Sequence, residues 1–114
     1  MAPCLFCEIV AGHIPCDLVY QDDRFLAFRD IAPVAPVHIL VIPRQHIAGL
    51  NDLRDDTADT ATELLRVASH IARQEKLQES GYRCVINCGQ DGGQTVAHLH
   101  LHLLGGRQLQ WPPG

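Results

Sequence analysis

Apolar and polar positions along this chain change period several times, and each change marks an element. In "CLFCEIVAG" Leu5, Phe6, Ile9 and Val10 fall near helical spacing and Gly12 offers a stop, which predicts one short helix. "DLVYQDDRFLAFRD" predicts two short strands around a turn at Gln21, Asp22 and Asp23. Between prolines, Val37 to Ile42 is largely aliphatic, the pattern of a strand covered on both faces. Residues 57–80 place Ala61, Leu64, Leu65, Ala68, Ile71 and Ala72 at a period near 3.6, predicting one long helix. Asp52, Asp55 and Asp56 would cap it and favour its dipole, and Gly81 would follow its last turn. "YRCVINCG" then reads as a strand, "QDGGQTV" as a glycine-rich loop and "HLHLHLLGG" as a second strand, while "RQLQWPPG" is too proline-rich for regular structure. Strands outnumber helices and are mostly joined by turns, so the expected class is α+β with an antiparallel sheet.

Composition narrows this little but usefully. The 114 residues predict a single domain over 1–114, long enough to bury roughly two-thirds of its unfolded surface without disulfides. A net charge of −4, with no run of more than two basic residues, argues against a nucleic-acid partner. An anionic ligand remains open if backbone N–H groups or histidines hold it. The five cysteines (Cys4, Cys7, Cys16, Cys84 and Cys88) are an odd set and predict no disulfide scaffold. The start "MAPCLFCEIVAGH" has no basic region before its short apolar stretch, so no signal peptide or membrane span is expected and the cytoplasm is the default.

The chemistry concentrates near the end. Alternation sends His98, His100 and His102 to one face of a strand and Leu99, Leu101 and Leu103 to the other. A one-residue slip would bury all three imidazoles, so the leucines hold the register. Same-face neighbours lie roughly 6.5–7 Å apart, enough for two rings to straddle a phosphate. Imidazole can serve as nucleophile, base or acid near neutral pH. Upstream, Gly92 and Gly93 allow close backbone approach, and Gln94 and Thr95 offer hydrogen-bonding side chains. From spacing alone a metal clasp, a catalytic centre and a merely polar strand face all stay open, although three successive same-face positions converge poorly on one ion.

The stretch "HLHLHLL" resembles the signature of the histidine-triad superfamily of nucleotide hydrolases and transferases, and the ending "GGRQLQWPPG" resembles its Hint branch. The similarity extends through "IPCDLVYQDDRFLAFRDIAPVAPVHILVIPRQHI" and "VINCGQDGGQTVAHLHLHLLGG", nearly the whole chain. It implies a sheet of about five strands with one long and one short helix, continued across a homodimer. Residues 105–114 would be a tail reaching the interface, with Trp111 near the partner's active site. It further implies that His100 attacks the α-phosphorus of a nucleoside monophosphate conjugate, forming a nucleotidyl-histidine that water hydrolyses. His102 would bind the phosphate and serve the leaving group, His98 would orient the nucleophile, and His38 would join a proton relay with it. Asp30 would hold the ribose hydroxyls, and Phe6, Ile9, Phe28, Ile31 and Leu40 would line the base pocket. Asn87, Gln94, Thr95 and Val96 would surround the phosphate.

The implied activity is purine nucleoside phosphoramidase, cleaving the P–N bond of AMP– or GMP–amine conjugates such as aminoacyl and lysyl adenylates. A purine-nucleotide-binding regulator with little catalysis and a dinucleoside polyphosphate hydrolase are the alternatives. A small zinc protein using both motifs for metal alone is a further possibility. Catalysis needs no cofactor on this reading. The C-x-x-C of Cys4 and Cys7 nevertheless suits two zinc ligands, and relatives that carry the pair complete a structural site at the positions of His46 and His98. Cys16, Cys84 and Cys88 read as core or near-core, and His13 and His70 as surface.

Overall fold

Strand-forming residues either side of Asp22 make the first hairpin. The computed structural model describes residues 4–114, so the first three residues of the expected domain lie outside the described part. β1 (Leu18–Gln21) pairs antiparallel with β2 (Phe25–Arg29). Asp22 closes the turn: its Oδ1 accepts from the amides of Arg24 and Phe25 at 2.8 and 2.7 Å, and its Oδ2 accepts from the Tyr20 hydroxyl at 2.6 Å. Partial burial pushes this carboxyl up, yet those hydrogen bonds outweigh it and hold Asp22 below the usual range.

β3 (Val37–Pro43) is the central strand, followed after a long crossing by β4 (Tyr82–Val85) and β5 (Leu101–Gly105). The sheet order is β1-β2-β3-β5-β4, with every pair antiparallel. Helices α1 (Leu5–Val10) and α2 (Ala58–Gln74) complete an α+β fold. Under α2, Phe25, Ala27, Ile39, Val41, Leu99, Leu101 and Leu103 pack with Leu64, Val67, Ala68 and Ile71 as the main core. On the opposite face Leu26, Phe28, Leu40 and Ile42 meet Phe6 of α1 in a smaller cluster. β3 is thus buried on both sides, as its aliphatic run requires.

The differences from the sequence expectation have local causes. α2 ends at Gln74, not near Ser80, because Lys76 adopts the left-handed conformation (φ 62°). The Lys76 and Leu77 amides bond back to the carbonyls of Arg73 and Ala72, a Schellman closure. Leu77 then buries against Gly105, where a β-carbon would come within 2.7 Å of its Cδ1. Gly81 closes the next turn instead, its amide bonding Leu77 O at 2.8 Å. The buried stripe of α2 is Thr60, Leu64, Val67, Ala68, Ile71 and Ala72, and Leu65 is 54% exposed. Asp52, Asp55 and Asp56 lie in two 3₁₀ turns, Leu50–Asp52 and Asp55–Thr57, and none caps α2 through its side chain. β4 stops at Val85, and β5 begins only at Leu101, so His98 and His100 precede the ladder.

Candidate active site

Although the ladder begins late, the alternation expected from "HLHLHLL" survives. Leu99, Leu101 and Leu103 enter the core beneath α2, and the three histidines turn to the α1 side. There a cavity of about 320 Å³ lies between α1, the sheet and the loop before β5. Its walls include Phe6, Ile9, Phe28, Leu40 and Val96, and its polar end is formed by Asp30, Thr95, His100 and His102. Phe6 sets its ring edge-on to His100 (centroids 5.1 Å apart) and to Phe28 (5.6 Å), joining the apolar wall to the imidazole end.

Ring protonation follows from the backbone. His100 Nδ1 lies 2.7 Å from the carbonyl oxygen of His98, which can only accept, so Nδ1 carries the proton. Nε2 of His100 is left with a free lone pair in the cavity that the ring lines. At the neighbouring ring the order reverses. The Val34 amide donates to His38 Nδ1 at 3.2 Å, which places the His38 proton on Nε2. That N–H donates to His102 Nδ1 at 2.9 Å, so neutral His102 carries its own proton on Nε2. The site therefore offers one imidazole as lone pair and its neighbour as N–H donor, with ring centroids 5.1 Å apart.

Burial and the neighbouring His100 and His38 lower His102 to about 4, against a partial opposing pull from Asp30. Burial also lowers His38, with Asp30 again opposing. Asp30 Oδ2 stands 3.5 Å from His38 Nε2 while its Oδ1 accepts from the Ala32 amide at 2.8 Å. Asp30, His38 and His102 could in number hold a cation. Their hydrogen bonds argue otherwise, because the His38 nitrogen facing the group already carries its proton.

A second cluster does have the right lone pairs. His98, fully buried, donates Nε2–H to Pro43 O at 2.8 Å, so its Nδ1 is unprotonated. That atom faces Cys4 Sγ at 3.4 Å, Cys7 Sγ at 3.6 Å and His46 Nδ1 at 3.2 Å, and Cys7 Sγ to His46 Nδ1 is 3.2 Å. Zinc bonds to sulfur and nitrogen give a tetrahedron with edges of about 3.3–3.8 Å. The donor set and spacing therefore fit a tetrahedral soft-metal site. Without a cation, burial and the neighbouring Cys4 push the Cys7 thiol up, a balance that a bound ion inverts.

Most residues expected at the site are brought together, with exceptions. Phe6, Ile9, Phe28, Asp30, Ile31, Leu40, Thr95, Val96, His100 and His102 line the cavity. Gln94 does not: its amide nitrogen donates to Ala48 O and Val96 O, and its oxygen accepts from Gly89 N, so the side chain braces the loop. Asn87 follows the end of β4 and is not one of the lining residues, and Trp111 stands 80% exposed on the tail of this chain. His38 bonds His102 and not His100, because the β3–β5 register sets Leu40 opposite His102 and leaves His38 on its diagonal. Cys84 is exposed on β4, whereas Cys16 and Cys88 are half-buried, and His13 and His70 are at the surface. Leu5, Ile14, Pro15, Cys16 and Arg29 also line the cavity and were not anticipated. Leu5 could have been inferred from its one-turn spacing to Ile9, but residues 14–16 lie in an irregular connection with no periodic signal.

An apolar cleft that ends in an imidazole with a free lone pair, an N–H-donating imidazole and a carboxylate has the make-up of a small-molecule site. The family model for the HIT domain matches residues 11–109, and the chain belongs to the HIT family. An uncharacterized HIT-like protein of Synechococcus elongatus is 57% identical over 110 residues, 96% of each chain. The adenylylsulfatase HINT1 of Arabidopsis thaliana is 48% identical over 115 residues, 99% of this chain and 78% of that one. The crystal structure of a HIT family hydrolase from Legionella pneumophila matches with a TM-score of 0.96 at 53% identity, covering 98% of this chain and all of the other. Among the described residues no helix is long and apolar enough to cross a membrane.

Proposed function

We propose that this protein is a cytoplasmic hydrolase that cleaves nucleoside phosphoramidates through a nucleotidyl-His100 intermediate. The observation that carries the reading is the His98 carbonyl on His100 Nδ1, which leaves Nε2 as a directed lone pair beside the His102 donor. A purine occupies the apolar walls and Asp30 takes the ribose hydroxyls. Nε2 of His100 attacks the α-phosphorus, the P–N bond breaks, and the amine leaves with a proton. Water then attacks the same phosphorus, releasing the nucleoside monophosphate and restoring the imidazole. His102 is neutral before substrate arrives, so its first role is to donate Nε2–H to a phosphate oxygen. The negative phosphate raises its proton affinity and equips it to protonate the departing amine.

The adenylylsulfatase relative favours a second substrate class, adenylyl sulfate, in which sulfate would leave from the same phosphorus. Both substrates are to be offered to wild type and to His100→Ala, with mass spectrometry for the nucleotidyl-peptide after denaturation at alkaline pH, where the P–N bond of a nucleotidyl-histidine survives. Equal rates for the two proteins would remove the covalent reading, and the rate ratio of amine to sulfate conjugate assigns the leaving group.

Two structural features of the active protein belong to the same proposal. Cys4, Cys7, His46 and His98 hold a zinc ion that braces α1 against the loop before β5 and takes no part in the chemistry. Two chains form a homodimer through the β4 edge, where Tyr82 and Cys84 are exposed, and each tail carries Trp111 to the partner. Metal analysis against Cys4→Ser, and the sedimentation of wild type against Tyr82→Arg, test these parts separately.

A further inference from the structure

His98 links the sulfur cluster to the His100 ring. Its imidazole Nδ1 faces Cys4, Cys7 and His46, and its carbonyl sets the protonation of His100 at 2.7 Å. The sheet does not hold this residue, since the β5 ladder starts at Leu101. Among the described residues its backbone is tied outside the sheet, by its own amide to Val96 O (2.8 Å) and by the Leu99 amide to Ile47 O (2.6 Å), while its carbonyl meets His100 Nδ1. The side-chain anchors, Pro43 O on one nitrogen and the sulfur cluster on the other, therefore fix where its carbonyl points.

The sulfurs lie on the open side of that anchor. Cys4 and Cys7 are half-buried and His46 is exposed, whereas His98 is fully covered. Cys4 is the N-cap of α1 and Cys7 stands one turn on. That separation puts their Cα atoms about 5 Å apart, inside the range a disulfide needs. The four ligand atoms all lie within 4.8 Å of one another.

From this arrangement we infer that Cys4 and Cys7 form a peroxide-sensitive latch, whose oxidation frees the metal, unfastens His98 and misplaces the His100 nucleophile. The step is balanced: two thiolates give two electrons, the S–S bond forms, the O–O bond of hydrogen peroxide breaks, and two hydroxides leave with the freed zinc ion. The latch rests on the zinc reading given above. Once the metal departs, the His98 ring loses its anchor on the sulfur side and keeps the Pro43 hydrogen bond and the edge contact with Phe6 (centroids 5.9 Å), and the carbonyl that points His100 shifts with it.

The test uses the whole reduced protein, labelled with ¹⁵N. Metal content is measured first, and absence of stoichiometric zinc overturns the metal reading and the latch together. With zinc present, hydrogen peroxide is added while a chelating dye reports released zinc, peptide mapping locates the disulfide, and NMR follows the His100 Nδ1–H signal. Zinc release, a Cys4–Cys7 disulfide, loss of that signal and a fall in turnover of roughly tenfold or more are expected, restored by dithiothreitol with zinc. The Cys84→Ser/Cys88→Ser protein should respond alike, and Cys7→His, which keeps a metal ligand but no dithiol, should not. Zinc release and disulfide formation with an unchanged His100 signal would overturn the coupling alone.

Discussion

Two histidine clusters flank His100, and they contrast in one respect that decides their chemistry. Around His98 the backbone takes the proton-bearing nitrogen through Pro43 O, so lone pairs converge with two sulfurs. Around His38 the backbone supplies a proton through the Val34 amide, so N–H groups are passed on to His102 and the cavity. Both clusters contain enough ligand-type residues to suggest a metal. Only the first has its lone pairs free. Counting histidines is therefore a poor guide, and what distinguishes ligand from relay is which backbone group each ring meets.

The severest test is at His100, which the two clusters flank. His100→Ala should lower turnover of either adenylate conjugate by roughly 10⁴-fold or more while leaving the fold intact, as expected for a lost nucleophile. A residual rate within tenfold of wild type would mean that neither cluster serves a covalent step. Next comes metal removal. Stripping zinc with a chelator should reduce unfolding free energy by about 4 kcal/mol, the linkage expected when free metal exceeds its dissociation constant a thousandfold. The same treatment should leave Cys4→Ser unchanged. Equal urea midpoints for treated and untreated wild type would erase the distinction between the clusters.

How much of this contrast is legible in the sequence depends on what kind of information each part needs. Periodicity, with the turn residues and prolines between segments, locates both helices, the five strands and the split of His98–Leu103 into two faces among the described residues, because burial on one side imposes alternation and burial on both, as in β3, an unbroken aliphatic run. The end of α2 is hidden, since Lys76 takes a conformation usually left to glycine and Leu77 is drawn in by Gly105 from a distant strand. Gln94 misleads for a related reason: a polar side chain beside a glycine loop suggests a ligand contact, yet the half-buried Ala48 carbonyl claims it. The sequence resemblance names His38 as a relay member, but only the register of β3 on β5 assigns it to His102. Long-range pairing determines each of these, and it leaves no local trace.

A third test uses acid. His102 sits at about 4 in the native protein against an unfolded value near 6.5, because burial and its imidazole neighbours disfavour the charged ring. Between those values the unfolded chain binds a proton that the native state refuses. Stability from this group is therefore present above about pH 6.5 and declines as pH falls toward 4, by roughly 3 kcal/mol over the window. Urea unfolding at several pH values should show a shallower decline for His102→Gln than for wild type. Identical slopes would place the acid sensitivity elsewhere, among the carboxylates.

The smallest expected effect isolates the relay itself. His38→Gln keeps an N–H donor within reach of His102 Nδ1, whereas His38→Leu removes the donor at similar bulk. With the donor gone, His102 can place its proton on Nδ1 and turn a lone pair toward the phosphate, where it repels instead of binding. Turnover should therefore fall roughly tenfold in His38→Leu and less in His38→Gln, an outer-partner effect well below that of losing His100. Imidazole ¹⁵N shifts of His102 should change tautomer only in the leucine variant. If both variants lose the same activity with the His102 tautomer unchanged, His38 acts by packing under the loop of Val34, and the second cluster is no relay.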